Sequence, residues 1–445
     1  MRTSRLLFLR KGATVKQLKG KKLLILGGTY ASLDVVKIAR SMGIFVIVTD
    51  DAPKEQRISK QIADDSRNIS TDDMEALLRL IKEEHIDGVF CGPSEFNLRN
   101  TIRLCALAGL PCYATEELWN RCANKTEFKQ YCIACGVDTP KTYPLSVFDT
   151  EGADRKVVYP VAVKPADASS SRGITVCYCR EQVKDAVNRA KTVSASGNVF
   201  VEQYLDNGGR LFNVRYILDE GKAFPYLAID TFIADPTEKK HLISALSRYP
   251  SSLTKLYMHT ADLRVRKMIK EMGLKNGTVF IQMIPKNGRF YCMDMGYRLS
   301  GGLFYKLTEP LMGINDVKMM IRYALGGKMC EKDELRRIFE PKTASFAQLT
   351  TPLRPGRISE IRGMDSIKQD PRVIDILQYY REGDEITPDA VGTLAQHFSR
   401  ISFLADTEKE VIDAVNTAQN SLSVLDGNGN EMYVMRFDTN ARLGD

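Results

Sequence analysis

At 445 residues the chain is too long for one simple core, and roughly two to four domains are expected. Its 44% hydrophobic and 27% charged residues, with no apolar run of membrane-spanning length, exclude a membrane protein. The formal charge of +8 is scattered among acids without a basic tail, so it suits an anionic small ligand at least as well as nucleic acid.

The opening MRTSRLLFLRKG has only four consecutive apolar residues, too few for a signal-peptide core, and a cytoplasmic protein is expected. Residues 1–20 read as a basic, weakly patterned extension. Residues 22–26 (KLLIL) predict a buried strand, followed by Gly27-Gly28-Thr29 and a helix whose Val35, Ile38, Ala39 and Met42 share one face. A second strand over 44–51, a helix over 74–84, a strand over 87–91 and a helix over 98–107 continue the alternation. This predicts a doubly wound parallel α/β domain over 21–118. GGTYAS lacks two glycines of the dinucleotide fingerprint, so a structural turn or a wall of a substrate site is favoured over a nicotinamide site. Glu95 follows the strand at 87–91, at the edge where such sheets bind ligands. It is a candidate substrate contact, with a solvated loop acid as the alternative.

Asn124-Lys125 opens a helix carrying Phe128 and Tyr131 and closing at Gly136. On it Cys132 and Cys135 form a C-x-x-C with no second pair at zinc spacing, and buried thiols are expected. Four histidines without H-E-x-x-H, and no G-x-S-x-G, exclude zinc hydrolysis and Ser-His chemistry. Lys164 ends an apolar strand, and residues 168–173 (ASSSRG) form a small-residue loop. Its N–H groups and hydroxyls suit phosphates, although a flexible hairpin tip has the same composition. A strand over 174–178, a helix over 181–193 and a strand over 199–205 follow, the last with Glu202 inside an apolar run.

Residues 278–303, TVFIQMIPKNGRFYCMDMGYRLSGGL, predict a β-hairpin with one polar residue in each strand, Gln282 and Asp294. A carboxylate in an apolar strand is costly unless it is paired or holds a cation. An oxygen-ligand pair followed by Arg298 and Ser300-Gly301-Gly302 suits an enzyme handling Mg-phosphate. The strand period imposes a condition. A two-residue Asn287-Gly288 turn places Gln282 and Asp294 on opposite faces, and a three-residue loop places them on one face, so the metal reading expects the longer loop. An ordinary hairpin, with Asp294 capping a turn and Arg298 on the surface, is the alternative.

In this order the lysines, small-residue loop, Glu strand and acidic hairpin resemble the ATP-grasp superfamily, in the branch that includes biotin carboxylase and carbamoyl phosphate synthetase. The resemblance covers about residues 21–440. It implies ATP and Mg2+ (or Mn2+) as cofactors, with Lys125 and Lys164 on the phosphates and Ser169, Ser170, Ser171, Arg172 and Gly173 as the lid. It implies Glu202, Gln203 and Leu205 at the adenine, Gln282 and Asp294 as metal ligands, and Arg298 and Lys164 as catalytic groups. The family's E-x-N-P-R reads Asp294-Met295-Gly296-Tyr297-Arg298, so Gly296 replaces the Asn of a second metal site. The family's ribose acid falls in Gly208-Gly209-Arg210, with Asp206 as its substitute.

The implied architecture is α/β and α+β multidomain. A pre-ATP-grasp domain spans 21–118, a two-lobed ATP-grasp domain 119–330 with its lid subdomain at about 157–200, and a small α+β C-terminal domain 331–445. In the last region a strand over 401–405, a capping box at Thr407 and Glu410, and a hairpin of 423–425 with 432–437 are expected. The turn at 426–429 lacks the Gly and Glu of a calcium loop. The activity implied is an ATP-dependent carboxylate–amine ligase passing through an acyl phosphate, with small-molecule carboxylate and amine substrates, no nucleic acid, no membrane, and a homodimer as the plausible assembly. Bicarbonate phosphorylation, a degenerate nucleotide-binding regulatory subunit and a NAD-dependent enzyme are the alternatives.

Overall fold

The run KLLIL is apolar to both sides of its backbone. It forms β1 (Lys22–Leu26), buried at four of five positions. The computed structural model describes residues 18–149, 152–166, 173–194, 196–234, 243–340 and 342–443. A strand like β1 needs cover on both faces. Parallel β2 (Phe45–Thr49) and β4 (Gly88–Cys91) flank it, and β3 (Asp65–Arg67), too short and polar to stand out in the sequence, completes the order β3-β2-β1-β4. Leu23 and Ile25 pack with Val35, Val36 and Ala39 of α1 (Tyr30–Ser41). Leu24 and Leu26 pack on the other side with α2 (Met74–Glu83) and α3 (Glu95–Ala108). The Gly27-Gly28 turn is filled from within. The Gly28 N–H donates to the Asp50 carboxylate at 2.9 Å, and a Cβ at Gly28 would lie 2.9 Å from Arg57.

The helices α4 (Glu116–Ala123) and α5 (Lys125–Ala134) lead into two antiparallel sheets. The smaller contains β5 (Thr142–Tyr143), β6 (Val161–Pro165), β7 (Thr175–Cys177) and β8 (Val199–Gln203) in the order β5-β8-β6-β7. It is backed by α6 (Arg180–Val193) through Val183, Ala186 and Ala190. The larger sheet contains β9 (Arg210–Asp219), β10 (Lys222–Ile233), β11 (Ser244–Tyr249), β12 (Gly277–Lys286), β13 (Arg289–Gly296), β14 (Ser345–Pro352), β15 (Val373–Gln378) and β16 (His397–Ala405). Its order is β13-β12-β9-β10-β11-β14-β16-β15, so the sheet runs continuously across residue 331. One face of β9 and β12 packs on α5 and α7 (Asp262–Glu271). The other faces the N-terminal sheet, α8 (Tyr305–Met312) and α9 (Asp316–Ala324).

Thr407 and Glu410 make the expected capping box at the start of α10 (Glu408–Ser421). The expected C-terminal hairpin forms only in part. Leu425 bridges Glu431 and the Met432 N–H donates to the Val424 carbonyl at 2.9 Å, but the ladder of Ser423–Leu425 is with Glu360–Arg362, and Tyr433 bridges Leu353. The Gln419 side chain takes the Phe437 N–H and C=O at 2.6 and 3.1 Å, using the polar groups that a strand partner would have met. All ten cysteines are free thiols, and among the described residues no helix is long and apolar enough to cross a membrane.

Gly88 sets how closely the N-terminal sheet approaches α9. A Cβ there would lie 2.4 Å from the Ala324 carbonyl oxygen. Gly88→Ala is expected to lower stability by about 1–3 kcal/mol, read as a fall in the urea midpoint.

Candidate active site

The hairpin places its polar residues together by a route other than the expected three-residue loop. Lys286 pairs with Arg289, so the loop is the two residues Asn287 and Gly288, both left-handed at φ 51° and 72°. The correction comes further along, where the register shifts between Gln282 and Met283 and leaves Met293 as an extra residue in β13. That bulge moves Asp294 opposite Gln282 and onto the same face. Asn213 of β9 pairs with Gln282 from the other side, giving a row Asn213–Gln282–Asp294 across three strands. Neither the Gln282 amide nor the Asp294 carboxylate has a side-chain hydrogen bond or ion pair among the described residues. Asp294 therefore caps no turn there, and the pair fits two oxygen ligands of a hard cation. No group of three His, Cys, Asp or Glu suited to a metal exists among the described residues, so phosphate oxygens and water would supply the other ligands.

The next row on this face is Arg215–Phe280–Gly296. A Cβ at Gly296 would lie 2.2 Å from the Phe280 ring, so the ring occupies the space an Asn side chain would need. The Arg298 guanidinium stacks over the same ring, 5.0 Å from its centroid. It also pairs with Glu95, which in turn accepts from the Trp119 indole at 3.0 Å. Glu95 is thus an anchor for Arg298 from the first turn of α3, and Arg298 is half-buried.

In the small lobe, Lys164 and Glu202 are in direct contact, and Lys129 meets the other carboxylate oxygen. Glu202 is 2% exposed and Lys129 7%. Burial acts to raise the Glu202 carboxyl, but Lys164 and Lys129 outweigh it and hold it below the ordinary value of 4.5. Burial pushes the Lys129 ammonium down. Lys129 stands on α5, which packs in the large-lobe core through Phe128 and Cys132, so the contact ties one lobe to the other. The buried Cys292 thiol lies within electrostatic reach of both Asp294 and Lys129, which relates this cluster to the hairpin.

Lys125 is the first residue of α5, one turn before Lys129. Gly173 is left-handed at φ 74°, against Pro165 and Val193. Ser169, Ser170, Ser171 and Arg172 lie outside the described residues. Gln203 is half-buried at the end of β8, with its N–H donating to the Lys141 carbonyl at 2.8 Å, and Leu205 is buried. Asp206 is exposed, and Arg210, where the family's acid was sought, pairs with buried Asp230 at 3.0 Å. Sequence reasoning missed Lys129, Asn213 and Arg215. For Lys129 the signal was its place one helical turn after Lys125 and next to core residue Phe128.

Residues 124–332 match the family model of the carbamoyl-phosphate synthase L chain, ATP binding domain. The carbamoyl phosphate synthase large chain of Archaeoglobus fulgidus is 24% identical over 312 residues, covering 67% of this chain and 28% of the synthase. An L-amino acid ligase from Bacillus licheniformis superposes with TM-score 0.74 at 18% identity, covering 92% of this chain and 100% of the ligase chain. The biotin carboxylase domain dimer of Hydrogenobacter thermophilus 2-oxoglutarate carboxylase, solved with MgADP and bicarbonate, gives TM-score 0.73 at 18% identity. It covers 91% of this chain and 90% of that one.

Removing the Glu202 charge leaves two lysines facing each other in a buried site. Glu202→Gln is expected to cost roughly 3–5 kcal/mol at pH 7, read from urea midpoints. The folded-state carboxyl is depressed, so its contribution is present above the unfolded value and lost as pH falls through the folded one. The gap between variant and wild type should therefore close only below about pH 4.3.

Proposed function

The chain carries an ATP-grasp domain of the carbamoyl-phosphate synthase L chain type over residues 124–332, and from that premise we propose an ATP- and Mg2+-dependent carboxylate–amine ligase. A substrate carboxylate oxygen attacks the γ-phosphorus of ATP, the bond to the β-phosphate oxygen breaks and ADP leaves. The amine then attacks the acyl carbon, phosphate departs and an amide remains. The observation that carries this reading is the placing of Gln282 and Asp294 side by side on one face without other partners, next to an anchored Arg298.

In this proposal Gln282 and Asp294 hold Mg2+ (Mn2+ in its place), which when bound neutralises phosphate charge. Lys125, Lys164 and the segment 169–173 hold the phosphates, and Glu202, Gln203 and Leu205 the adenine, with Asp206 towards the ribose. Lys164 exchanges Glu202 for phosphate oxygens when nucleotide enters, and Lys129 stays to neutralise the carboxylate. Arg298, held in place by Glu95, stabilises charge on the transferring group. We divide the chain into an extension (1–20), a pre-ATP-grasp domain (21–118), a two-lobed ATP-grasp domain (119–330) and a C-terminal α+β domain (331–445). The ten free cysteines support a reducing cytoplasmic setting, and the Hydrogenobacter domain dimer supports a homodimer.

The Phe280 ring in the space of the second-metal Asn favours one alternative, a chain that binds ATP without turnover. Phosphate release from Mg-ATP across paired carboxylates and amines, bicarbonate included, separates the two. Release needing both co-substrates, and reduced about 100-fold or more in Asp294→Ala, is expected. ATP binding without release from any pair would overturn the ligase reading.

A further inference from the structure

Arg215 is a buried cation with most of its hydrogen-bonding capacity unused. It lies on β9 on the same face as the Asn213–Gln282–Asp294 row, about 7 Å along the strand from that row. The residue is 6% exposed. Its Nη2 donates to Ser300 Oγ at 3.0 Å and its guanidinium stacks on Phe304 at 4.0 Å, while Nε and Nη1 have no partner. Among the described residues it is in no ion pair, so its position costs free energy unless something of opposite charge is met there.

Asp316, 7% exposed at the start of α9, faces the same cavity. Its Oδ2 accepts from Tyr226 at 2.9 Å, and its Oδ1 has no partner. The other walls come from Ala31 and Pro93, beyond the ends of β1 and β4, from Leu303 and Phe304, and from Asp34 of α1, whose carboxylate is paired with Lys306 at 3.1 Å. The remaining space is about 10 Å³, room for about one water. A water there brings no charge to either group. Burial pushes the Arg215 guanidinium down and the Asp316 carboxyl up, so each charge lacks a sufficient counterpart.

We propose that Arg215 and Asp316 form a subsite for an α-amino acid, whose carboxylate lies on the Nε–Nη2 edge of Arg215 and whose ammonium lies on Asp316 Oδ1. Nε and Nη2 offer two parallel donors to the two carboxylate oxygens once Ser300 leaves Nη2, and the zwitterion adds no net charge to a cavity lined by Arg215, Asp316 and an Asp34 that Lys306 already pairs. To admit the ligand, the loop from Ser300 to Phe304 must lift. Leu303 is held there in the left-handed region at φ 54°, a strained arrangement for a residue with a side chain, and lifting the loop releases it. That this amino acid is a substrate, supplied next to the metal row, rests on the ligase reading. That it binds does not.

The test is calorimetric titration of the full chain, without nucleotide, with each protein amino acid. The best binder is then compared with the matching acid lacking the amine and the matching amine lacking the carboxylate. Both analogues should bind at least about tenfold more weakly, and Arg215→Met, Arg215→Lys and Asp316→Asn should each weaken the amino acid by a similar factor while ATP binding is unchanged. The volume-preserving Lys and Asn variants decide the matter if Arg215→Met does not fold. Absence of amino-acid binding by a wild-type chain that binds ATP would overturn the subsite, as would equal affinity for the analogues or for the Arg215 variants. Amino-acid binding by a chain that does not bind ATP would leave the subsite standing and remove the ligase reading.

Discussion

The extra residue at Met293 acts through the two-residue period of a strand. Between the tight turn and the bulge, β12 and β13 pair as a regular hairpin, and beyond it every residue of β13 is moved to the other face. Asp294 thereby leaves the side of the core cysteine Cys292 and joins Gln282. Gly296, two residues on, arrives under Phe280, and Arg298 emerges where Glu95 can reach it. Without that residue the carboxylate would be buried among apolar groups, where ionisation is penalised, and the amide across from it would have no matching oxygen.

Charge pairs then fasten segments distant in the chain. Glu202 of the small sheet is held by Lys129 from a helix anchored in the large core. Arg298 after β13 is held by Glu95 of the N-terminal α/β unit. Lys306 on α8 bridges Asp34 of α1 at 3.1 Å and Asp375 of β15 at 2.8 Å, bringing N- and C-terminal regions to one ammonium. The Glu202 cluster contains one more cation than anion, so it can accept phosphate oxygens without leaving any carboxylate unmatched.

Much of the fold was legible because its elements obey simple periods. KLLIL reads as a two-sided buried strand, and Val35 and Ala39 mark the inner face of α1. The acidic hairpin was legible as a candidate site because Asp294 violates the apolar pattern around it. The bulge that brings Gln282 and Asp294 to one face was not, since a bulge depends on cross-strand pairing and leaves no mark in the residues themselves. Arg215 and Asn213 were missed for a related reason: in RLFNVRYIL a polar residue becomes meaningful only once β12 supplies its neighbours. Lys129 looked like any helical lysine until Glu202, far along the chain, turned towards it. The 432–437 segment had strand composition, but its backbone groups are divided among Val424, Arg354, Pro352 and Gln419.

Gly296 and Phe280 also carry an evolutionary consequence. The ring lies where any side chain at 296 would have to begin, so a substitution there is obstructed while residue 280 is aromatic. A side chain at 296 would require the Phe280 ring to turn aside or to become smaller, and either change would move the surface on which Arg298 stacks. The two positions are therefore coupled, and a change at one is felt at the other. Steric interlock of this kind ties the identity of residue 296 to the placement of the Arg298 guanidinium.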